Sequence, residues 1–218
     1  MNFVITAGPT REPIDPVRYI SNRSSGKMGY AIAEAALQDR HEVVLISGPV
    51  NLPPPRGAKL ISVTTSDEMF GAVHRHAPDC EILVMCAAVA DYKPATVAHQ
   101  KIKRREKTEL ALKLVPTRDV LASLPQDRQY LVVGFAAETD DLEKNALKKL
   151  QNKNCDLIVA NDVSRADAGV ESDENEVTIF FRDGEREKIA RASKKNIARE
   201  LVKIFANTRE KRLTKKTR

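Results

Sequence analysis

The chain has 218 residues, 42% hydrophobic and 30% charged, with a formal net charge of +6. A domain of that length buries roughly 70% of its unfolded surface and needs no covalent staples. Its cysteines, Cys80, Cys86 and Cys155, are odd in number and scattered, with no C-x-x-C spacing. That pattern excludes a disulfide scaffold and points to a reducing compartment. No signal peptide precedes the first apolar strand and no apolar run reaches membrane length, so the expected location is cytoplasmic, with no membrane partner. Much of the basic excess sits in residues 209–218. Residues 208–218 are therefore expected to form a basic, flexible tail on a single domain of residues 1–207. Aromatic residues make up 5%, with no Trp. That leaves no stacking platform, so nucleic acid is not an expected partner.

In chain order, residues 2–6 read as a short strand with β-branched residues. A long loop follows, residues 7–29, in which Pro9, Pro13 and Pro16 are expected to prevent helix and strand. Its second half is Arg18-Tyr-Ile-Ser-Asn-Arg-Ser-Ser-Gly-Lys-Met-Gly29. Ser21, Asn22, Ser24 and Ser25 are short and polar, Arg18, Arg23 and Lys27 carry charge, and Gly26 and Gly29 allow close approach to the backbone. An Ala-rich helix follows, from about residue 29 to 39. A strand, a polar glycine-containing loop and a helix N-terminus together favour an anion, because the first helical N–H groups lack partners and lie at the positive end of the dipole. Two familiar motifs fail. The dinucleotide fingerprint G-x-G-x-x-G has only Gly8 here, and the P-loop pattern breaks because Met28 follows Gly26-Lys27 and Ser21 replaces the first Gly.

Residues 41–47 form a second strand, apolar through its middle, as suits a parallel strand covered on both faces. After the Pro-rich loop 48–57 come a third strand at 59–63 and a helix capped by Thr65 or Ser66, ending near Ala77-Pro78. Residues 81–87 are a fourth strand. Residues 88–107 show neither helical nor strand period. They set the acids Asp91 and Glu106 against Lys93, Lys101, Lys103, Arg104, Arg105 and Lys107. Beside a ligand cleft this reads as a cationic flap for phosphates, and away from one as a solvated surface loop.

Residues 109–115 alternate as a half-exposed strand, and a helix is expected over 118–124, its start a second candidate anion site. Residues 130–136 are a fifth core strand and 142–152 an amphipathic helix. Lys149 and Lys153, late in that helix, are expected at the edge of the sheet away from the cleft. Residues 155–160 are a sixth strand. A polar loop at 161–175, a hairpin turning at Asp183-Gly184 and a helix capped by Ser193 and ending near Asn207 complete the chain. Strands alternating with helices at this spacing predict an α/β fold: a Rossmann-like, doubly wound parallel sheet with helices on both faces and a C-terminal antiparallel hairpin addition. Ligands of such sheets sit beyond the carboxyl ends of the strands, where strand order reverses. The loop after the first strand and the residues after Cys86 should therefore meet.

Six segments in this order carry a resemblance. They are Thr6-Ala-Gly-Pro-Thr-Arg-Glu-Pro-Ile-Asp15, Ser21-Asn-Arg-Ser-Ser-Gly-Lys-Met-Gly29, Ala87-Ala-Val-Ala-Asp-Tyr92, Lys101-Ile-Lys-Arg104, Gly134-Phe-Ala-Ala-Glu-Thr139 and Ala160-Asn-Asp-Val163. Over about residues 2–205 the chain resembles the phosphopantothenate–cysteine ligase family, the synthetase part of the bacterial bifunctional coenzyme A biosynthesis flavoprotein, in its CTP-using branch. The resemblance implies a ligase. The carboxylate of (R)-4′-phosphopantothenate attacks the α-phosphorus of CTP, giving an acyl-cytidylate and pyrophosphate. The amine of L-cysteine then displaces CMP to give (R)-4′-phosphopantothenoyl-L-cysteine.

The resemblance also implies roles. Asn22 handles the acyl-cytidylate, Arg18 lies near the same intermediate, and Lys101 of the flap serves cytidylate formation. Met85, Cys86, Ala87, Asp91, Arg118, Asp119, Val120, Leu121, Phe135, Lys149 and Lys153 fall at nucleotide-contacting positions, with Lys101 beside them. Ser21, Asn22, Ser24, Ser25, Gly26, Gly29 and Ala88 fall to phosphopantothenate. Mg2+ is expected with CTP, held by phosphates and water, with no protein metal cage and no flavin. A homodimer is expected, with the late hairpin as one candidate contact. The flavin-dependent decarboxylase half has no counterpart in the sequence, so a separate decarboxylase is an expected partner. Arg104 stands where the family has lysine, and Arg118 where proline is common.

Two rivals remain at this stage. One is an NAD(P)-dependent oxidoreductase on the same sheet, against which stand the missing fingerprint and Ser47, not an acid, at the end of the second strand. The other is a non-catalytic nucleotide sensor, which pyrophosphate release would exclude.

Overall fold

The computed structural model describes residues 1–103, 109–138, 141–162 and 173–216, without the side chains of Glu138, Asp162, Lys215 and Lys216. In chain order the strands are β1 (Asn2–Ala7), β2 (Arg11–Pro13), β3 (Tyr19–Ser21), β4 (Glu42–Ser47), β5 (Lys59–Ser62), β6 (Ile82–Met85), β7 (Tyr92–Pro94), β8 (Leu114–Pro116), β9 (Leu131–Glu138), β10 (Leu157–Asp162), β11 (Glu174–Phe181) and β12 (Arg186–Ser193). The helices are α1 (Lys27–Gln38), α2 (Ser66–His76), α3 (Leu142–Asn152) and α4 (Lys194–Lys216).

An eight-stranded sheet has the order β12-β11-β10-β9-β6-β1-β4-β5. From β10 to β5 every neighbouring pair is parallel, and β11 and β12 close one side antiparallel. This is the expected Rossmann-like layout with its hairpin addition. The chain leaves β1 toward β4 and β5, then returns to lay β6 on the other side of β1. The switch point lies between β1 and β6.

The central parallel strands, β1, β6, β9 and β10, are apolar on both faces because both are covered, while the edge strand β5 is largely exposed. On one face α1 and α4 pack over Ile5, Val84, Val133 and Val159, with Ile32, Ala33, Leu201 and Phe205 supplying the contact. On the other, Met69 and Val73 of α2, Ala146 and Leu150 of α3, and Val120 and Leu124 pack over Ile46, Leu83, Val132 and Ile158. The small face of α1 lets it lie low on β1. A Cβ at Gly29 would stand 2.6 Å from the Ala7 Cβ. Thr65 starts α2 with a capping box: its side chain accepts the Glu68 N–H and the Glu68 carboxylate accepts the Thr65 N–H.

Four sequence expectations are corrected. Residues 7–29 are not strand-free, because β2 and β3 pair as a two-stranded ribbon with Pro13 at its end. The proline tolerates this since only one edge of so short a ribbon is used. Residues 88–116 likewise contain the β7–β8 ribbon, whose second strand is only Leu114–Pro116 and not residues 109–115. Residues 118–124 form turns, not a helix. There the Asp119 Oδ1 accepts the Ala122 N–H at 2.9 Å, a side-chain turn that competes with helix. The second candidate anion site therefore has no helix N-terminus. Finally, α4 continues nine residues past Asn207. Arg209 is buried there, and Arg212 pairs with Asp156 at 2.9 Å while donating to the Tyr130 and Arg128 carbonyls. The basic segment read as a flexible tail is helix through Lys216, held against the domain at Arg209 and Arg212. Among the described residues no helix is long and apolar enough to cross a membrane.

Candidate active site

The ends of β1 and β6 are laced together at the switch point. The Ala87 N–H donates to Thr6 Oγ1 at 3.1 Å, Ala88 N–H to the Gly8 carbonyl at 2.9 Å, and Thr10 N–H to the Ala88 carbonyl at 3.2 Å. The Ala90 N–H donates to Thr10 Oγ1 at 3.0 Å. Both backbone polar atoms of Ala88 are thus engaged within the fold. The Ser21 hydroxyl donates to the Thr10 carbonyl at 2.7 Å, and the Asn22 Nδ2 to the Val89 carbonyl at 3.1 Å. The polar loop and the strand after β6 therefore share one wall, and Asn22 stands exposed upon it.

The start of α1 is open. Its cap, Gly26, is left-handed at φ 75°, makes no side-chain capping bond, and precedes a first turn without acids. A Cβ at Gly26 would also lie 2.8 Å from the Val50 Cγ1. Ser24 and Ser25 accept the Gly26 and Lys27 N–H groups only at 3.4 and 3.5 Å. The positive end of a helix without an acidic or side-chain cap is suited to an anion. Lys27 points elsewhere, pairing with Asp173 at 2.6 Å.

On the α2–α3 face a cavity of about 230 Å³ opens beyond β6 and β9. Met85, Ala87, Asp91, Arg118, Asp119, Val120, Leu121, Phe135, Lys149 and Lys153 line it, with Val89, Ala90 and Thr117. Of the expected nucleotide positions only Cys86 and Lys101 are not on its wall. Cys86 packs with the opposite face, against the α1–α4 cluster, because neighbouring residues at a strand end point to opposite sides. Burial pushes its thiol up to about 12 against the charge of Lys194. Val89, Ala90 and Thr117 went unassigned from sequence, although each adjoins a residue that was singled out.

Lys149 and Lys153 are not at a distant edge. The Lys149 Nζ donates to the Phe135 carbonyl at 2.6 Å, and Lys153 pairs with Asp119. Lys153 thus reaches the turn after Thr117, while Lys149 reaches the end of β9. Burial tends to raise the Asp119 carboxyl, but Lys153 and the Ala122 N–H outweigh it and hold the group below its ordinary value. Arg118 at the rim rests 3.9 Å over the Phe70 ring and donates to Asp67 at 3.1 and 3.2 Å. Asp67 also takes Lys93, whose hydrogen bond is the main reason its carboxyl is lowered.

Lys101 is exposed on the segment after β7. The neighbouring basic residues Arg104, Arg105 and Lys107 lie outside the described residues. Arg18 turns toward this segment, donating to the Ile102 carbonyl at 2.9 Å and to Asp15. A larger cavity of about 550 Å³ lies on the other face, between α1, the prolines 53–55 and Lys194. Among the described residues no group of three His, Cys, Asp or Glu could hold a metal.

A doubly wound parallel sheet with a polar, cation-rimmed crevice and an open helix start at its switch point defines a Rossmann-like α/β ligand-binding domain. The chain belongs to the family described as the DNA/pantothenate metabolism flavoprotein C-terminal domain, whose profile matches residues 1–208. It is 50% identical over 190 residues to the coenzyme A biosynthesis bifunctional protein CoaBC of Escherichia coli K12, covering 85% of this chain and 47% of that protein. It is 48% identical over 207 residues to CoaBC of Bacillus subtilis 168, covering 94% and 51%. The chain thus spans about half the length of the curated relatives it matches. Among solved structures, the C-terminal domain of a CoaBC protein superposes with a TM-score of 0.82 at 41% identity, covering 96% of each chain. A Cab2 variant in complex with phosphopantothenate-cysteine superposes equally well, with a TM-score of 0.82 over 100% of this chain and 89% of that one. At 17% identity it speaks to the fold alone.

Proposed function

We propose that this domain joins 4′-phosphopantothenate to L-cysteine, using CTP to activate the carboxylate as an acyl-cytidylate. Membership of the family, together with one observation, supports the reading: the polar loop that opens α1 is tied through Asn22 to Val89, which lines a cation-rimmed cavity beyond β6. Condensing a carboxylate with an amine needs the carboxylate oxygen turned into a leaving group, and two anionic reagents must approach despite repulsion. Lys149, Lys153 and Arg118 suit the triphosphate, Met85, Ala87 and Phe135 suit an apolar-faced base or ribose, and the α1 start suits the acid's phosphate. Lys101 offsets charge on the α-phosphate during attack. Asn22 then holds the acyl carbonyl oxygen as cysteine's amine adds. Neither step is a redox step, so no flavin enters.

The donors present fit a magnesium ion that arrives on the triphosphate and keeps mostly water. Among the described residues of the cavity wall, Asp91 is the carboxylate suited to touch it, since Asp119 is taken by Lys153. Such an ion supplies charge neutralisation at the phosphates. Against a dinucleotide oxidoreductase stands Ser47, whose hydroxyl is buried against Tyr30 and the Gly48 carbonyl where a ribose-binding acid is required.

The test is turnover with each of the four nucleoside triphosphates. Pyrophosphate release should require phosphopantothenate and be fastest with CTP, and CMP and amide should appear only when cysteine is added. No pyrophosphate with any nucleotide overturns the reading. Light scattering of the same preparation tests the expected homodimer.

A further inference from the structure

The turn at residues 14–18 joins β2 to β3 and touches the cationic segment 98–103. The Ala98 N–H donates to the Ile14 carbonyl at 3.0 Å. At the centre of the turn Asp15 has a side chain with 0% exposure, although it sits on a surface ribbon. Its Oδ1 accepts the Val17 and Arg18 N–H groups at 2.8 and 2.9 Å. Its Oδ2 accepts Arg18 Nε at 3.0 Å and Nη2 at 2.5 Å. Those four bonds stay inside the turn. A fifth leaves it: Oδ2 also accepts the Ile102 N–H at 3.1 Å, from 87 residues away in sequence. Arg18 Nη2 completes the grip by donating to the Ile102 carbonyl at 2.9 Å.

A tight turn needs only the local bonds. Two charged groups that between them take both backbone polar atoms of one distant residue do something else: they fix the two peptide planes that flank it, one of them shared with the residue before. Charge-assisted bonds of this kind are the strong ones, and burial makes them directional. Arg18, as the nearest donor, holds the Asp15 carboxyl well below the usual carboxylate range, so the pair stays charged. The residue so fixed is the immediate neighbour of Lys101.

We infer that the Asp15–Arg18 pair is a latch that holds Ile102 and thereby positions Lys101 for acyl-nucleotide formation. This rests on the ligase reading above for what Lys101 does, and on the hydrogen bonds alone for what the latch holds. Asp15 is a positioning residue that touches no reagent. A lysine on an unlatched segment visits the reacting phosphate for only part of the time, and the rate falls by that fraction.

The experiment compares wild type with Asp15→Asn, alone and combined with Lys101→Gln. Amide exchange over peptides covering residues 98–103 is expected to speed up about tenfold or more, the size of one charge-assisted bond, with α1 and the sheet unchanged. The kcat for pyrophosphate release is expected to fall about tenfold while the nucleotide KM moves less than about twofold. In the Lys101→Gln background the loss on Asp15→Asn should vanish. Unchanged exchange, or an equal loss in both backgrounds, overturns the latch and leaves Asp15 a turn former. If Asp15→Asn loses its circular dichroism, Arg18→Lys replaces it, keeping a cation beside Asp15 while dropping the bond to Ile102. If wild type releases no pyrophosphate, the ligase reading falls and the exchange measurement still decides whether the pair holds the segment.

Discussion

Asn22 is a fastener in the structure, and the proposed mechanism asks it to be a reagent as well. One of its amide hydrogens ties the polar loop to the Val89 carbonyl. The amide has a second hydrogen, and the residue is exposed at the crevice. Asn22→Asp exchanges that donor for an anion beside the carbonyl oxygen that must be stabilised. Pyrophosphate should still form, acyl-cytidylate should accumulate, and amide formation should drop about 100-fold, the scale of one lost oxyanion donor. Normal amide yield by mass spectrometry would show the second hydrogen to be idle. At this scale the sequence was most legible where it named residue types and least where a side chain's direction mattered. Alternation along a strand already implied that Met85, Cys86 and Ala87 cannot all face one cavity. Lys149 and Lys153 went the other way: their position late in a helix suggested distance, and nothing in their spacing announced Phe135 and Asp119 as partners.

Elements were legible in proportion to their length and periodicity. The central strands declare themselves as apolar runs because water reaches neither face, and α3 declares its stripe over the residues that bound it. Ribbons of three residues, β2–β3 and β7–β8, have no period to read, and their prolines argue against them. The turn at 118–124 failed as a helix because Asp119 spends its carboxylate on a local N–H. Where a boundary rests on local chemistry, as at Thr65, it was readable, and its energy is predictable. Thr65→Ala removes one half of the capping box and should cost about 1 kcal/mol in chemical denaturation, without altering pyrophosphate release. A loss near zero would mean that the neighbouring Glu12 carboxylate, which accepts the Ser66 N–H at 2.8 Å, holds the start of α2 by itself.

For the whole molecule the decisive feature is how α4 closes the sheet. Its first half lies with α1 over the central strands, and its last turns reach the start of β9 and β10 through Arg212 and Asp156. The sequence presented those last turns as a run of like charges, which ordinarily means solvent. The countercharge lies 56 residues back in the chain, out of reach of any local reading. Arg212→Ala should therefore behave as a core substitution, costing about 2 kcal/mol, because Asp156 and two carbonyls lose a donor in a shielded place. A midpoint of denaturation equal to wild type would return the segment to the status of a tail. The same closure governs how the chain is made. A ribosome that has emitted 190 residues has released β1, β4, β6, β9 and β10, yet the greasy side of those strands still waits for Ile197, Leu201 and Phe205. Until α4 follows, the nascent sheet offers an unfinished surface to chaperones.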